Sequence, residues 1–136
     1  APAAGYLAHL SIEFILYVAD QSRSATFYSV LLDRSPTLDV PGMTEFILPG
    51  GSKLGLMPET GIAKIICGPM PHPSNAQGVP RCELYLLVDD LASISARVEQ
   101  AGARLVDAES DRDWGHRVAY FADPDGHIIA LASGIS

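Results

Sequence analysis

The chain has 136 residues, 48% hydrophobic and 18% charged, which is enough apolar material for one domain and far from the composition of a disordered segment. Nine Lys and Arg against sixteen Asp and Glu leave a formal charge of -7, which argues against a nucleic-acid partner, since phosphate contacts need clustered basic residues. No apolar run is long enough to span a bilayer and no basic-then-apolar leader precedes the first strand, so the expectation is a cytoplasmic protein with no membrane partner.

In chain order, Glu13-Phe-Ile-Leu-Tyr-Val-Ala-Asp20 is a short apolar run that predicts a strand covered on both faces. It ends at Asp20, whose carboxylate is suited to accept a hydrogen bond from an early N–H of a following helix. Phe27, Val30 and Leu31 then fall at helical spacing. Residues 37–40 read as a weak second strand. Next, Phe46-Ile-Leu-Pro-Gly-Gly-Ser-Lys-Leu-Gly-Leu56 reads as a hairpin around Pro49-Gly50-Gly51, because Pro presets φ and Gly accepts positive φ. Residues 58–81 carry five Pro and three Gly and predict a linker, whose apolar stretch 62–67 is able to lie over the domain as a lid. Cys67 and Cys82 are too few for a disulfide scaffold and read as free thiols, although Arg81 leaves a reactive Cys82 open.

The second half repeats the first. Glu83-Leu-Tyr-Leu-Leu-Val-Asp-Asp90 matches the opening strand at an offset of 70 residues, and Leu91, Ile94, Val98 and Ala101 continue as a helix stopped by Gly102. Residues 104–108 form the weak strand. Phe121-Ala-Asp-Pro-Asp-Gly-His-Ile-Ile-Ala-Leu131 then matches the hairpin at an offset of 75. The pattern predicts an α+β fold in a single domain: two tandem βαβββ modules, about 10–58 and 82–133, joined by a linker over 59–81.

Alternation places Ile15 and Tyr17 on the face of Glu13, and Tyr85 and Leu87 on the face of Glu83, as walls of a pocket or plain core. Further on, His116, Val118 and Tyr120 share one face and Arg117, Ala119 and Phe121 the other; either set is able to line the pocket. Trp114 is a stacking surface at its mouth or a packing anchor. His9 and His72 lack metal-ligand spacing and read as solvated, and His127 as a surface residue at a strand start.

The repeat, an Asp-capped helix bearing Phe27-Tyr28, and Trp114-Gly-His-Arg117 followed by Asp123-Pro-Asp-Gly126 together resemble the vicinal-oxygen-chelate superfamily, and most closely its bleomycin-resistance and glyoxalase-like branch. The resemblance implies a curved mixed sheet around a small-molecule cavity and a homodimer. It also implies a metal position fed by four strands, which falls here on Glu13, Gly55, Glu83 and Ala130. Gly55 and Ala130 offer no ligating side chain, and two carboxylates alone hold a divalent metal such as Mg²⁺ or Ca²⁺ only weakly. The expectation is therefore no cofactor, with a divalent metal on Glu13 and Glu83 as the alternative. Glu13, Gly55, Glu83, Trp114, Arg117 and Ala130 are the candidate ligand-binding residues, and Glu13 and Glu83 the candidate catalytic ones. Two carboxylates facing one cavity should repel each other and favour a cationic ligand. The implied function is metal-independent sequestration of a drug or metabolite, as in antibiotic resistance. A metal-using glyoxalase-like lyase, isomerase or dioxygenase is the alternative, and a regulatory module without a specific ligand a third.

Overall fold

The computed structural model describes residues 11–135; His9 lies outside them. The first module runs β1 (Glu13–Val18), α1 (Gln21–Leu32), β2 (Leu38–Val40), β3 (Met43–Ile47) and β4 (Lys53–Pro58). The second runs β5 (Glu83–Leu87), α3 (Leu91–Gln100), β6 (Arg104–Asp111), β7 (His116–Ala122) and β8 (Ile128–Gly134). Each module folds into its own four-stranded mixed sheet, in the orders β1-β4-β3-β2 and β5-β8-β7-β6. The first and last strands of each module run parallel, and the rest antiparallel. The α+β tandem repeat is thus present, as two separate sheets.

Both helices start where the sequence places their caps. Asp20 accepts from the Arg23 N–H at 3.0 Å and Asp90 from the Ser93 N–H at 3.1 Å. Helix α1 ends on Asp33 in the left-handed region, φ 52, and α3 is followed by Gly102 at φ 111. The linker is more ordered than its composition implies: α2 (Glu59–Ile66) starts directly after Pro58, and residues Pro73–Ala76 make a 3₁₀ turn capped by His72, whose Nδ1 accepts from the Ser74 N–H at 3.1 Å. In α2, Ile62 and Ala63 are buried, so this stretch packs on the first module.

One core serves both modules. Val18, Phe46, Leu54 and Leu56 of the first sheet and Ala119, Phe121, Ile129 and Leu131 of the second join Phe27, Tyr28, Leu31, Leu91 and Val98 from the helices in a single buried cluster, with α1 against α3. Full burial of each large apolar side chain contributes about 1.5–3 kcal/mol, so neither half retains its share of the core alone.

A polar latch adds to this. The turn between β7 and β8 presents Asp123, buried, whose Oδ2 accepts from the Tyr28 hydroxyl at 2.6 Å while Oδ1 accepts from the N–H groups of Asp125 and His127. Asp125 in turn accepts from the Ala19 N–H at 3.0 Å and from Ser24 Oγ at 3.3 Å, and pairs with Arg23 at 3.4 Å. His127 Nε2 donates to the Tyr17 carbonyl at 3.0 Å. The Asp-Pro-Asp-Gly turn of the second module therefore grips the β1–α1 junction of the first. The linker crosses this turn: a Cβ on Gly126, φ 93, would lie 2.7 Å from the Gly78 carbonyl oxygen and 2.9 Å from its Cα.

Candidate functional site

Each sheet has one face against the helices and one turned away. On β1, Leu16 and Val18 join the core, so Glu13, Ile15 and Tyr17 point outward. Register then sets Gly55 beside Ile15 on one side and beside Glu45 of β3 on the other. The second sheet repeats this with Ala130 between Tyr85 and Tyr120. Gly55 and Ala130 thus lie in the middle of the two faces turned away from α1 and α3. Among the described residues large side chains stay exposed on or beside those faces: Ile15 at 41%, Leu87 at 65% and Trp114 at 56%.

On the first face, the space that a Gly55 side chain would fill is taken by the Glu13 carboxylate. A Cβ there would overlap Glu13 Oε2 and lie 3.1 Å from Ile15 Cγ1. Oε2 is shut off from solvent and has no donor among the described residues. Desolvation lifts the Glu13 carboxyl above its ordinary 4.5, hydrogen bonding and repulsion with the Glu45 carboxyl add to the rise, and Lys53 opposes it. Lys53 itself pairs with Glu45 at 3.5 Å. Glu45, opposite Gly55 on β3, is thus the carboxyl beside Glu13 within the first sheet. Glu83 is exposed on a different sheet and shares no contact with Glu13 among those described.

The second face carries a hydrogen-bonded aromatic cluster. Trp114 Nε1 donates to the Tyr85 hydroxyl at 2.9 Å, and that hydroxyl is bonded to His116 Nδ1 at 2.7 Å. Beside it the Arg112 guanidinium stacks 5.1 Å from the Tyr120 ring centroid while donating to Asp107 and to the Val118 carbonyl. Of the two alternating sets on β7, Val118 and Tyr120 pack on this side with Ala130 and Ala132, whereas Ala119 and Phe121 enter the main core. Arg117 belongs to the latter set and is not brought to Trp114. It pairs with Asp111 at 2.9 Å and Glu109 at 3.6 Å, carboxylates that hold its guanidinium pKa above the ordinary value. Glu45, Tyr85 and His116 gain their places from cross-strand register, a signal that becomes readable once strands are paired.

The four-strand metal position does not fit these residues. Gly55 and Ala130 supply no side-chain ligand, which leaves two carboxylates, one on each sheet. Asp123, Asp125 and His127 have ligand atoms within 4.8 Å of one another, but the latch hydrogen bonds already occupy them. Cys67 and Cys82 are both free and exposed. Among the described residues no helix is long and apolar enough to cross a membrane.

Two tandem βαβββ modules, each with its own mixed sheet, are the architecture of the vicinal-oxygen-chelate class. The glyoxalase-like domain profile matches residues 12–136, and the chain belongs to that family. It is 28% identical over 123 residues to an uncharacterised protein of Mycobacterium bovis, a match covering 88% of this chain and 80% of that one. Among solved structures, a glyoxalase-related enzyme from Fulvimarina pelagi superposes with a TM-score of 0.78 at 22% identity, covering 93% of this chain and 88% of that one. A glyoxalase/bleomycin resistance protein/dioxygenase family enzyme from Burkholderia phytofirmans gives 0.77 at 15% identity, covering 90% and 97%. At these identities the likeness is one of fold.

Proposed function

We propose that the protein binds a small molecule against the faces turned away from α1 and α3 without a resident metal, in the manner of drug- or metabolite-sequestering proteins, and that a second copy covers those faces in a homodimer. The observation that carries this reading is the pair of faces themselves. Large apolar and aromatic side chains stand exposed around Gly55 and Ala130 while the opposite faces are fully packed, and contiguous exposed apolar surface marks a binding surface. Trp114 offers a plane for stacking, held by Tyr85 and His116, and the Glu13–Glu45 pair offers an acceptor for a cationic group. Glu83, on the same sheet as the aromatic cluster, remains part of the proposed site.

One observation favours a second reading, a lyase or isomerase. A carboxyl with a raised pKa in a face of this kind is what an acid–base catalyst needs.

Trp114 is the single tryptophan, so its fluorescence reports on the proposed site directly. Titration with a cationic glycopeptide should give a saturable change, and sedimentation at micromolar protein should give a dimer mass. Turnover of a glutathione hemithioacetal, abolished by Glu13→Gln with binding retained, would establish the second reading instead. A flat titration with both ligands together with a monomer mass would end both.

A further inference from the structure

On the helical side, away from the faces described above, a cleft of about 670 Å³ lies between the C-terminal half of α1 and α3, within the size range of small-molecule sites. Arg34 and Arg97 line it, two of the nine basic residues in a chain of net charge -7. Arg34 is fixed by main-chain carbonyls, its Nη1 donating to Ile47 at 2.6 Å and its Nε to Leu32 at 3.3 Å. No carboxylate among the described residues pairs with it. Among the described residues Arg97 meets one carboxylate, Asp33, at 3.8 Å, and the Asp33 side chain is 81% exposed. The Arg97 Nε is shut off from solvent and has no acceptor among the described residues. By contrast, Arg112 and Arg117 bind carboxylates at 2.9 Å. The cleft therefore holds positive charge that its own residues neutralise poorly.

The C-terminus of α1 points here, and bare carbonyls would repel an anion. Three of the last four are covered: the Asp33 N–H reaches Val30 O at 3.3 Å, the Arg34 N–H reaches Ser29 O at 3.2 Å and Arg34 Nε reaches Leu32 O. Thr26 and Ser35 add hydroxyl donors to the lining.

We infer that this cleft binds a small tetrahedral oxyanion, a phosphate group either free or carried by a small metabolite, with Arg97 as its main partner and Arg34 as fixed charge behind it. A guanidinium fork bonds two oxyanion oxygens, and a tetrahedral group keeps further oxygens for the Thr26 and Ser35 hydroxyls that a planar carboxylate lacks. Asp33 is the competitor that the anion displaces into solvent. Because α1 and α3 belong to different modules, the anion bridges them where they meet.

The test is a phosphorus NMR titration at constant ionic strength, with inorganic phosphate in one arm and glycerol phosphate in the other. A saturable shift is expected in at least one arm, and the tighter arm identifies the source. Arg97→Gln should weaken binding by about tenfold or more, the loss of one charge-assisted contact. Asp33→Asn, which keeps a residue tolerant of φ 52, should tighten it severalfold. Arg23→Gln, which disturbs only the Asp125 pair, should leave it unchanged. Opposite signs for Arg97 and Asp33 do not arise from general loss of folding. Shifts that stay linear to about 10 mM in both arms, or equal affinities for Arg97→Gln and the wild type, would overturn the inference.

Discussion

Replacing Tyr28 by Phe removes one oxygen from a side chain that is otherwise fully buried, so the change isolates the latch between the modules. The lost bond is short, 2.6 Å, and its acceptor is a buried carboxylate oxygen with no other donor among the described residues, while Oδ1 keeps two N–H groups. A hydrogen bond to a charged group, together with the cost of an unsatisfied buried oxygen, gives an expected loss of about 2–3 kcal/mol. For a chain of this length that is a fall of about 7–10 °C in thermal midpoint. The pH profile supplies a second readout. Burial, and next the Asp123 charge, raise the Tyr28 phenol well above its ordinary 10.0, so above pH 10 the unfolded chain releases a proton that the folded one retains. The unfolded state then binds fewer protons, and stability must fall as pH rises, by about 1.4 kcal/mol per pH unit from this residue. Urea unfolding of wild type and Tyr28→Phe from pH 7 to 11 should show the variant weaker at pH 7 and less sensitive to alkali. A loss below about 0.5 kcal/mol at pH 7, or parallel alkaline slopes, would refute the latch as drawn.

Gly126→Ala meets both a positive φ and the Gly78 backbone, so it should cost about 2–4 kcal/mol in denaturant unfolding, whereas Gly102→Ala, with open space around it, should cost only the conformational part of about 1–2 kcal/mol. Glu45→Gln should stabilise the protein at neutral pH by less than about 1 kcal/mol, because water screens the pair, and the gain should vanish below the ordinary Glu value of 4.5. The sign follows from the raised folded pKa of Glu13: its contribution is full below the unfolded value and is lost as pH rises through the folded one. Tyr85→Phe should change stability by under about 1 kcal/mol, since the cluster is partly exposed, yet shift the emission of Trp114 by removing the acceptor of its indole N–H.

Fold and site differ in how much of them is local. The tandem modules were readable because Glu13 to Asp20 and Glu83 to Asp90 are short, contiguous and alike, and because Asp20, Asp90 and Gly102 act on backbone groups within a few residues of themselves. Helix α2 was missed because Gly61 and the Pro-rich stretch after it mask an eight-residue segment whose order comes from packing Ile62 and Ala63. Glu45 was missed because its role depends on being the cross-strand neighbour of Gly55, and nothing in the local pattern of β3 marks it. Asp123 reads locally as a turn residue, and its partner Tyr28 lies 95 positions away. Contacts spanning that distance leave no local periodicity to detect.

The latch has no mirror image. The repeat offsets carry Asp123 onto Leu48, Asp125 onto Gly50 and Tyr28 onto Val98, so the reciprocal junction is held by apolar packing. The two halves are therefore chemically gendered. A chain assembled from two first modules would lack the acceptor, and one assembled from two second modules would set a buried carboxylate against a valine. Nicked within the linker, the halves should seek each other in preference to themselves, making the protein a source of a split pair whose reassembly is heterospecific although both fragments descend from the same βαβββ plan.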